Sequence, residues 1–295
     1  MKILNFGSIN IDMVFSVPHI VLPGETIASV GFIRNAGGKG ANQSAALAKA
    51  GLSVHHAGKI GDDGRWILEL LQSYGVCTDY IIVGDDPTGQ ALIQVSSQGE
   101  NAIVLFPGGN HQITESDIDA VLAHFSKGDI LLLQNEINNL NYLMRQALSK
   151  QMNIWFNPAP FDEGVRALPI DKVKMLIVNE IEAARLAQLP LQSEYFTILE
   201  SLTAKFPNIE IILTAGKEGA FYGCGDKRKK CAAFTVPVVD TTAAGDTFIG
   251  YLMAARLRGC SITSSLAYAC KASSIKVSRL GAMQGIPSAH EVFTE

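Results

Sequence analysis

The stretch "FTVPVVDTTAAGDTFIGYLMAARLRG", residues 234–259, decides how this chain is read. Its first six residues are β-branched and apolar apart from Pro237, and read as strand-like. The run stops at Asp240 and turns on threonine, alanine and glycine. A helix is expected over Thr247–Arg258, with Asp246 at its mouth. A strand, a small-residue turn and a helix in that order form the repeating unit of an α/β protein.

The same rhythm extends outward. "KILNFG" (2–7), "SVHHAGKIG" (53–61), "DILLLQ" (129–134), "NIWFNPAP" (153–160), "KMLIVN" (174–179) and "IEIILT" (209–214) read as strands. "NQSAALAKAG" (42–51), "GRWILELLQSYG" (64–75), "DIDAVLAHFS" (117–126), "LNYLMRQALSKQ" (140–151) and "SITSSLAYACKASSIKVSRLG" (261–281) carry helical spacing. Buried strands alternating with amphipathic helices predict a doubly wound, mostly parallel sheet covered on both faces. Two early stretches break the rhythm. "IDMVFSV" (11–17) alternates up to Pro18, and "TGQALIQVSSQGENAIVLFPG" (88–108) reads as a β-hairpin. They predict a small second sheet on a single domain spanning 1–295, built from about 11–35 and 87–108.

Bulk properties narrow the function. The chain has 295 residues, 47% hydrophobic and 18% charged, with a net charge of −4. That profile fits a large globular core and argues against nucleic-acid or anionic-membrane partners. The basic cluster Lys227–Lys230 is short and isolated, and is expected at a solvated hairpin tip. Five cysteines without CxxC spacing argue against a disulfide framework or a zinc site. No apolar run reaches membrane-spanning length and the N-terminus lacks a signal-peptide pattern, so a cytoplasmic location is expected.

Four stretches carry candidate chemistry. In "DTTAAGD" (240–246), small residues and free helix amides suit an anion, and Asp246 reads either as a general base beside it or as a helix cap. "NAGGKGANQ" (35–43) is a glycine-rich helix entry that matches neither the Walker A nor the GxGxxG pattern. Its Lys39 and Asn42 supply donors suited to hydroxyls. Asn10 and Asp12, near the end of the first predicted buried strand, share one face of an extended segment, and read either as a hydroxyl-binding pair or as an Asx turn leaving the strand. Asn179 and Glu182, three apart at a strand-to-helix junction, read either as organisers of a hydrated Mg²⁺ or as a helix cap.

These stretches, in this order, resemble the ribokinase-like (PfkB) carbohydrate kinases over essentially the whole chain. "GGKGANQ" and "DTTAAGDTF" match the family's two signature regions. The resemblance implies ATP-dependent phosphorylation of a sugar hydroxyl, with the 5-hydroxyl of D-ribose as first expectation. Kinases of fructose, deoxyribose, adenosine or inosine are alternatives, as is a non-catalytic sugar sensor. A nicotinamide enzyme is disfavoured by the missing glycine fingerprint. The resemblance assigns the sugar to Asn10, Asp12, Gly38, Lys39, Asn42 and Glu136, and the base to Asp246. It assigns the anion hole to the amides of Ala243, Ala244, Gly245 and Asp246. ATP falls to Asn179, Glu182, Thr214, Gly216, Lys217, Gly219, Gly245 and Cys270, with Mg²⁺ held through water by Glu182. It also implies an activating K⁺ at Asp240, Thr242, Lys276, Arg279, Gly281 and Gly285, several through backbone carbonyls. At the last of these positions the family often has a serine hydroxyl. The small sheet is implied to be a lid over the sugar and the contact of a homodimer.

Overall fold

The computed structural model describes residues 1–293, so the last two positions of the expected domain lie outside the described residues. The strands are β1 (Ile3–Phe6), β2 (Asn10–Val17), β3 (Gly31–Gly37), β4 (His55–Ile60), β5 (Cys77–Val83), β6 (Gly89–Ser96), β7 (Asn101–Phe106), β8 (Ile130–Gln134), β9 (Asn153–Asn157), β10 (Met175–Asn179), β11 (Glu210–Thr214), β12 (Ala220–Cys224) and β13 (Lys227–Cys231). The large sheet runs β13-β12-β11-β10-β9-β8-β1-β4-β5. It is parallel from β11 to β5, and β12 and β13 add an antiparallel edge. Strand order reverses at β1, which pairs with β8 on one side and β4 on the other. Ligands of such sheets bind beyond the carboxyl ends of the strands near this switch.

Strand periodicity sorts the core onto two faces. Ile3, Ile130, Leu132 and Trp155 point to one side, packing with residues of the helices Lys39–Lys49, Ala244–Leu257 and Ile262–Val277. Leu4, Phe6, Leu131, Leu133 and Phe156 point to the other, under the helices Glu115–Leu122, Leu140–Ser149, Glu180–Ala187 and Tyr195–Lys205. Each fully buried Leu or Ile contributes about 1.5–3 kcal/mol. The predicted doubly wound α/β architecture is therefore observed.

The small sheet has the order β3-β2-β6-β7. β3 pairs antiparallel with β2, and β7 with β6, and the two halves join through a parallel β2–β6 contact. Asn10 and Asp12 sit at the start of β2, in this second sheet, rather than at the end of β1.

Three local expectations are corrected. Residues 234–239 form no strand. Pro237 has no N–H for a ladder, and Phe234, Thr235, Val236 and Val238 line a cleft instead. The basic cluster is not a hairpin tip but β13 itself, an exposed edge strand where lysines discourage edge-to-edge pairing. The helix after "DTTAAG" begins at Ala244, so Asp246 lies inside its first turn.

Gly250 permits the packing that matters most for the site. A Cβ there would lie 2.5 Å from Ala46 Cβ and 3.0 Å from Leu47 N, so the helices Lys39–Lys49 and Ala244–Leu257 cross almost backbone to backbone. Gly250→Ala is expected to cost about 1–3 kcal/mol. It should also lower turnover by parting Asn42 and Gln43 from Asp246. Urea unfolding and steady-state kinetics check both effects.

Candidate active site

Ala243 opens the helix Ala244–Leu257 in a left-handed conformation, φ 59°, and no side chain caps the helix. The N–H of Ala244 donates to Thr241 O. Among the described residues, the N–H groups of Gly245 and Asp246 find no protein acceptor. Two free amides at the positive end of a 14-residue helix form an anion site. The capping alternative for Asp246 is not realised.

Asp246 faces this site from the first turn and is 8% exposed. Its Oδ2 accepts from Asn42 Nδ2 at 3.1 Å and its Oδ1 from Gln43 Nε2 at 2.9 Å. Burial lifts its carboxyl above the ordinary value, against the pull of Lys39, Gln43 and Asn42. A carboxylate with raised proton affinity suits a general base.

The orientation of that carboxylate is set by a polar tier absent from the sequence reading. Gln134 and Asn157 end β8 and β9, and Asn5 is the penultimate residue of β1, all on the face toward the helix Lys39–Lys49. Gln134 Nε2 donates to Asn5 Oδ1 at 3.0 Å and to Gln43 Oε1 at 2.7 Å. Gln43 Nε2 also donates to Asn157 Oδ1 at 3.2 Å. With its Oε1 filled, Gln43 can only turn its NH₂ to Asp246. The available signal was a polar residue at a core-facing position in each of "LNFG", "LLLQN" and "WFNP".

Lys39, Asn157, Asn179, Glu182, Ala243 and Asp246 line one cavity of about 220 Å³. Burial works against the Lys39 ammonium, but Asp246, Glu136 and Glu182 together hold its proton affinity above the ordinary value. Asn179 and Glu182 form a capping box, with Oδ1 accepting from Glu182 N at 2.8 Å and Oε2 from Asn179 N at 2.9 Å. The cap reading is thus realised, and Glu182 still lines the cavity with a buried carboxylate. Burial raises its pKa, opposed by the Asn179 N–H and Lys39.

A second cavity of about 420 Å³ holds Thr214, Gly216, Lys217, Gly219 and Cys270, the residues expected along a nucleotide. The two cavities share Thr214, Thr241, Ala244 and Gly245, so the free amides stand where they meet.

The expected sugar residues gather around the entry of the helix Lys39–Lys49. Gly38 enters the helix Lys39–Lys49 at φ 90°, and a Cβ there would press on Ser8 O at 2.9 Å. Glu136 accepts from Lys39 N at 2.9 Å and from the Ser8 hydroxyl through the same oxygen. Asn10 Oδ1 accepts from Asn110 Nδ2 at 2.7 Å, a buried partner that sequence reasoning missed. Asp12 packs over Gly37, where any Cβ would fall 2.1 Å from its Oδ2. Burial, reinforced by Glu136, pushes the Asp12 pKa up to about 7. Asn42 Oδ1 is buried without a protein partner. Such an acceptor is costly unless a ligand donor meets it.

The residues expected at K⁺ also come together, but they do not fit that ion. The Lys276 ammonium itself donates to Asp240 O at 3.1 Å and Arg279 O at 3.3 Å. Lys276 O accepts from Arg279 N, Asp240 Oδ1 from Thr242 N and Asp240 Oδ2 from Gly281 N. The carbonyls of Asp240, Lys276 and Arg279 and both carboxylate oxygens of Asp240 are already engaged by this chain.

An anion hole between a nucleotide-sized cleft and a buried carboxylate, on an open α/β sheet, defines a phosphoryl-transfer enzyme. The sequence profile of the pfkB family carbohydrate kinases matches residues 1–289, and the chain belongs to this family. It is 36% identical over 291 residues to a ribokinase of Bacillus subtilis, covering 97% of this chain and 96% of that protein. A ribokinase of Haemophilus influenzae is 32% identical, with 97% and 95% covered. Among solved structures, ribokinase from Cryptococcus neoformans in complex with ADP superposes with a TM-score of 0.86 at 36% identity, over 99% of this chain and 98% of that one. Arabidopsis thaliana ribokinase complexed with ribose and ATP gives 0.86 at 28% identity, over 99% and 97%.

Proposed function

We propose that this carbohydrate kinase transfers the γ-phosphate of ATP to the 5-hydroxyl of D-ribose. The observation that carries the reading is the buried Asp246 carboxylate one turn inside an uncapped helix whose Gly245 and Asp246 amides are free. Asp246 takes the hydroxyl proton as the oxygen attacks. The free amides, the helix dipole and Lys39 meet the charge of the phosphoryl group in flight. Glu182 and Asn179 offer the oxygen-rich, hydrated surroundings that Mg²⁺ prefers, and would hold it through water. When bound, Mg²⁺ supplies neutralisation of phosphate charge. Asp12, Asn10, Gly38, Lys39, Asn42 and Glu136 bind the sugar. The unpartnered Asn42 Oδ1 is satisfied by a sugar hydroxyl.

The small sheet acts as a lid that excludes water, the competing acceptor. Its strands expose Phe32, Ile33, Ile103, Val104, Leu105 and Phe106, each at least 46% accessible. An apolar surface of this kind supports a homodimer formed through the lid. Light scattering should report a dimer, and Ile103→Asp should shift it toward monomer while raising the sugar KM. A cytoplasmic location completes the proposal.

The test is ADP release with Mg-ATP and ribose, deoxyribose, fructose, adenosine or inosine. Turnover with ribose at the highest kcat/KM is expected. Preference for another acceptor would keep the mechanism and move the substrate.

A further inference from the structure

We infer that the ammonium of Lys276 is a built-in monovalent cation, fastening the anion-hole loop and making this kinase independent of K⁺. The inference deepens the proposed function and rests on it. Lys276 lies in the helix Ile262–Val277 and is 0% exposed, among the largest fully buried side chains. A buried ammonium is costly, and among the described residues this one forms no ion pair. Its partners are the carbonyls of Asp240 and Arg279. Carbonyl oxygens around a lone positive charge are the coordination a K⁺ ion takes.

Two features of this chain accommodate the side chain together. Gly285 provides the space, since a Cβ there would sit 3.0 Å from Lys276 Cδ and 3.1 Å from Cε. The serine often present in the family would press on these methylenes, which would have to give by a few tenths of an ångström. The lysine side chain and the missing Cβ are therefore complementary.

Asp240 connects the charge to the chemistry. Its backbone oxygen accepts from Lys276, and its carboxylate fixes Thr242 N–H at 2.9 Å and Gly281 N–H at 2.9 Å. The amides of Val239 and Asp240 both donate to Val277 O, next to Lys276. The start of the loop is thus clamped to the end of the helix Ile262–Val277. The far end of the same loop presents the free amides of Gly245 and Asp246. Lys276 is a positioning residue, and its charge adds positive potential behind the anion hole. Burial lowers its pKa, with Asp240 acting in the other direction.

The experiment compares K⁺ with choline at constant ionic strength. Wild-type kcat should change by less than about twofold. Lys276→Ala opens the site; its kcat should fall at least about tenfold in choline and recover in K⁺, ammonium or methylammonium. Independently of turnover, the melting temperature of Lys276→Ala should rise with K⁺ while that of the wild type does not. Lys276→Met keeps the volume without the charge, so it should lose kcat and resist rescue. Strong K⁺ activation of the wild type overturns the inference, whether or not the variants fold. So does full activity of Lys276→Met. Absence of turnover with every sugar would overturn the proposed function instead, and the melting experiment would still decide the role of Lys276.

Discussion

Asp246→Asn is expected to lower kcat at least about a hundredfold while leaving the KM for ATP within about threefold. The substitution removes the proton acceptor and keeps the size of the side chain. Each carboxylate oxygen meets one donor, Asn42 Nδ2 or Gln43 Nε2, so the substitution also turns an NH₂ group toward one of them. Gln43 cannot turn, because Gln134, Asn157 and Asp246 use both ends of its amide. Asn42 can, because its Oδ1 has no protein partner and becomes the acceptor for the new amide on rotation. The fold should therefore survive with little change in melting temperature. The amides of Gly245 and Asp246 also remain, so ATP binding persists. A variant that binds ATP normally, melts normally and does not turn over isolates the proton-transfer role. Turnover near wild type would falsify it. A variant that melts early instead points to the polar tier, and Gln43→Glu becomes the sharper probe.

That tier marks the boundary of what the sequence disclosed. The α/β alternation was legible because each strand is a short apolar run and each helix has an apolar stripe. The glycine-rich entry at Gly38 and the small-residue turn at 241–245 were legible because few other compositions permit those backbones. Gln43 stands within the glycine-rich motif, which by itself assigns it no role. Its function depends on Asn5, Gln134 and Asn157, which come from three separate strands. Only the pairing of β1, β8 and β9 makes them neighbours. "CTDYIIV", the strand β5, was not read as one, since Thr78 and Asp79 interrupt its apolar pattern. "FTVPVV" misled in the opposite direction, because a surface that lines an apolar cleft has the composition of a strand. Lys276 and Gly285 were read as members of an ion site. Their mutual fit is a matter of three-dimensional contact between a side chain and a missing one.

Asp12→Ala is expected to raise the sugar KM by about one to two orders of magnitude and to change the KM for ATP little. One hydrogen bond from a hydroxyl to an ionised carboxylate supplies that difference, since a bond to a charged group contributes about 1.5–3 kcal/mol. The pH dependence gives a second signature. In the free enzyme the Asp12 pKa stands at about 7, raised by burial and by Glu136. Below pH 7 the carboxyl carries a proton and loses acceptor capacity, so kcat/KM for the sugar should fall as pH drops through that value. The break should vanish in Asp12→Ala. Stability runs the opposite way. A pKa raised above its unfolded value stabilises the fold below about pH 4 and loses that contribution as pH rises toward 7. Wild type should therefore lose stability relative to Asp12→Ala across that interval, and at pH 8 the variant should gain in the comparison. Sugar binding reverses the cost, because hydroxyl donors favour the charged form, so ribose should stabilise the wild type more at pH 8 than at pH 6. If the sugar KM, the break in kcat/KM and the melting profile are all unchanged in Asp12→Ala, Asp12 is only a strand residue of β2 and the sugar is held by Asn10, Lys39 and Asn42 without it.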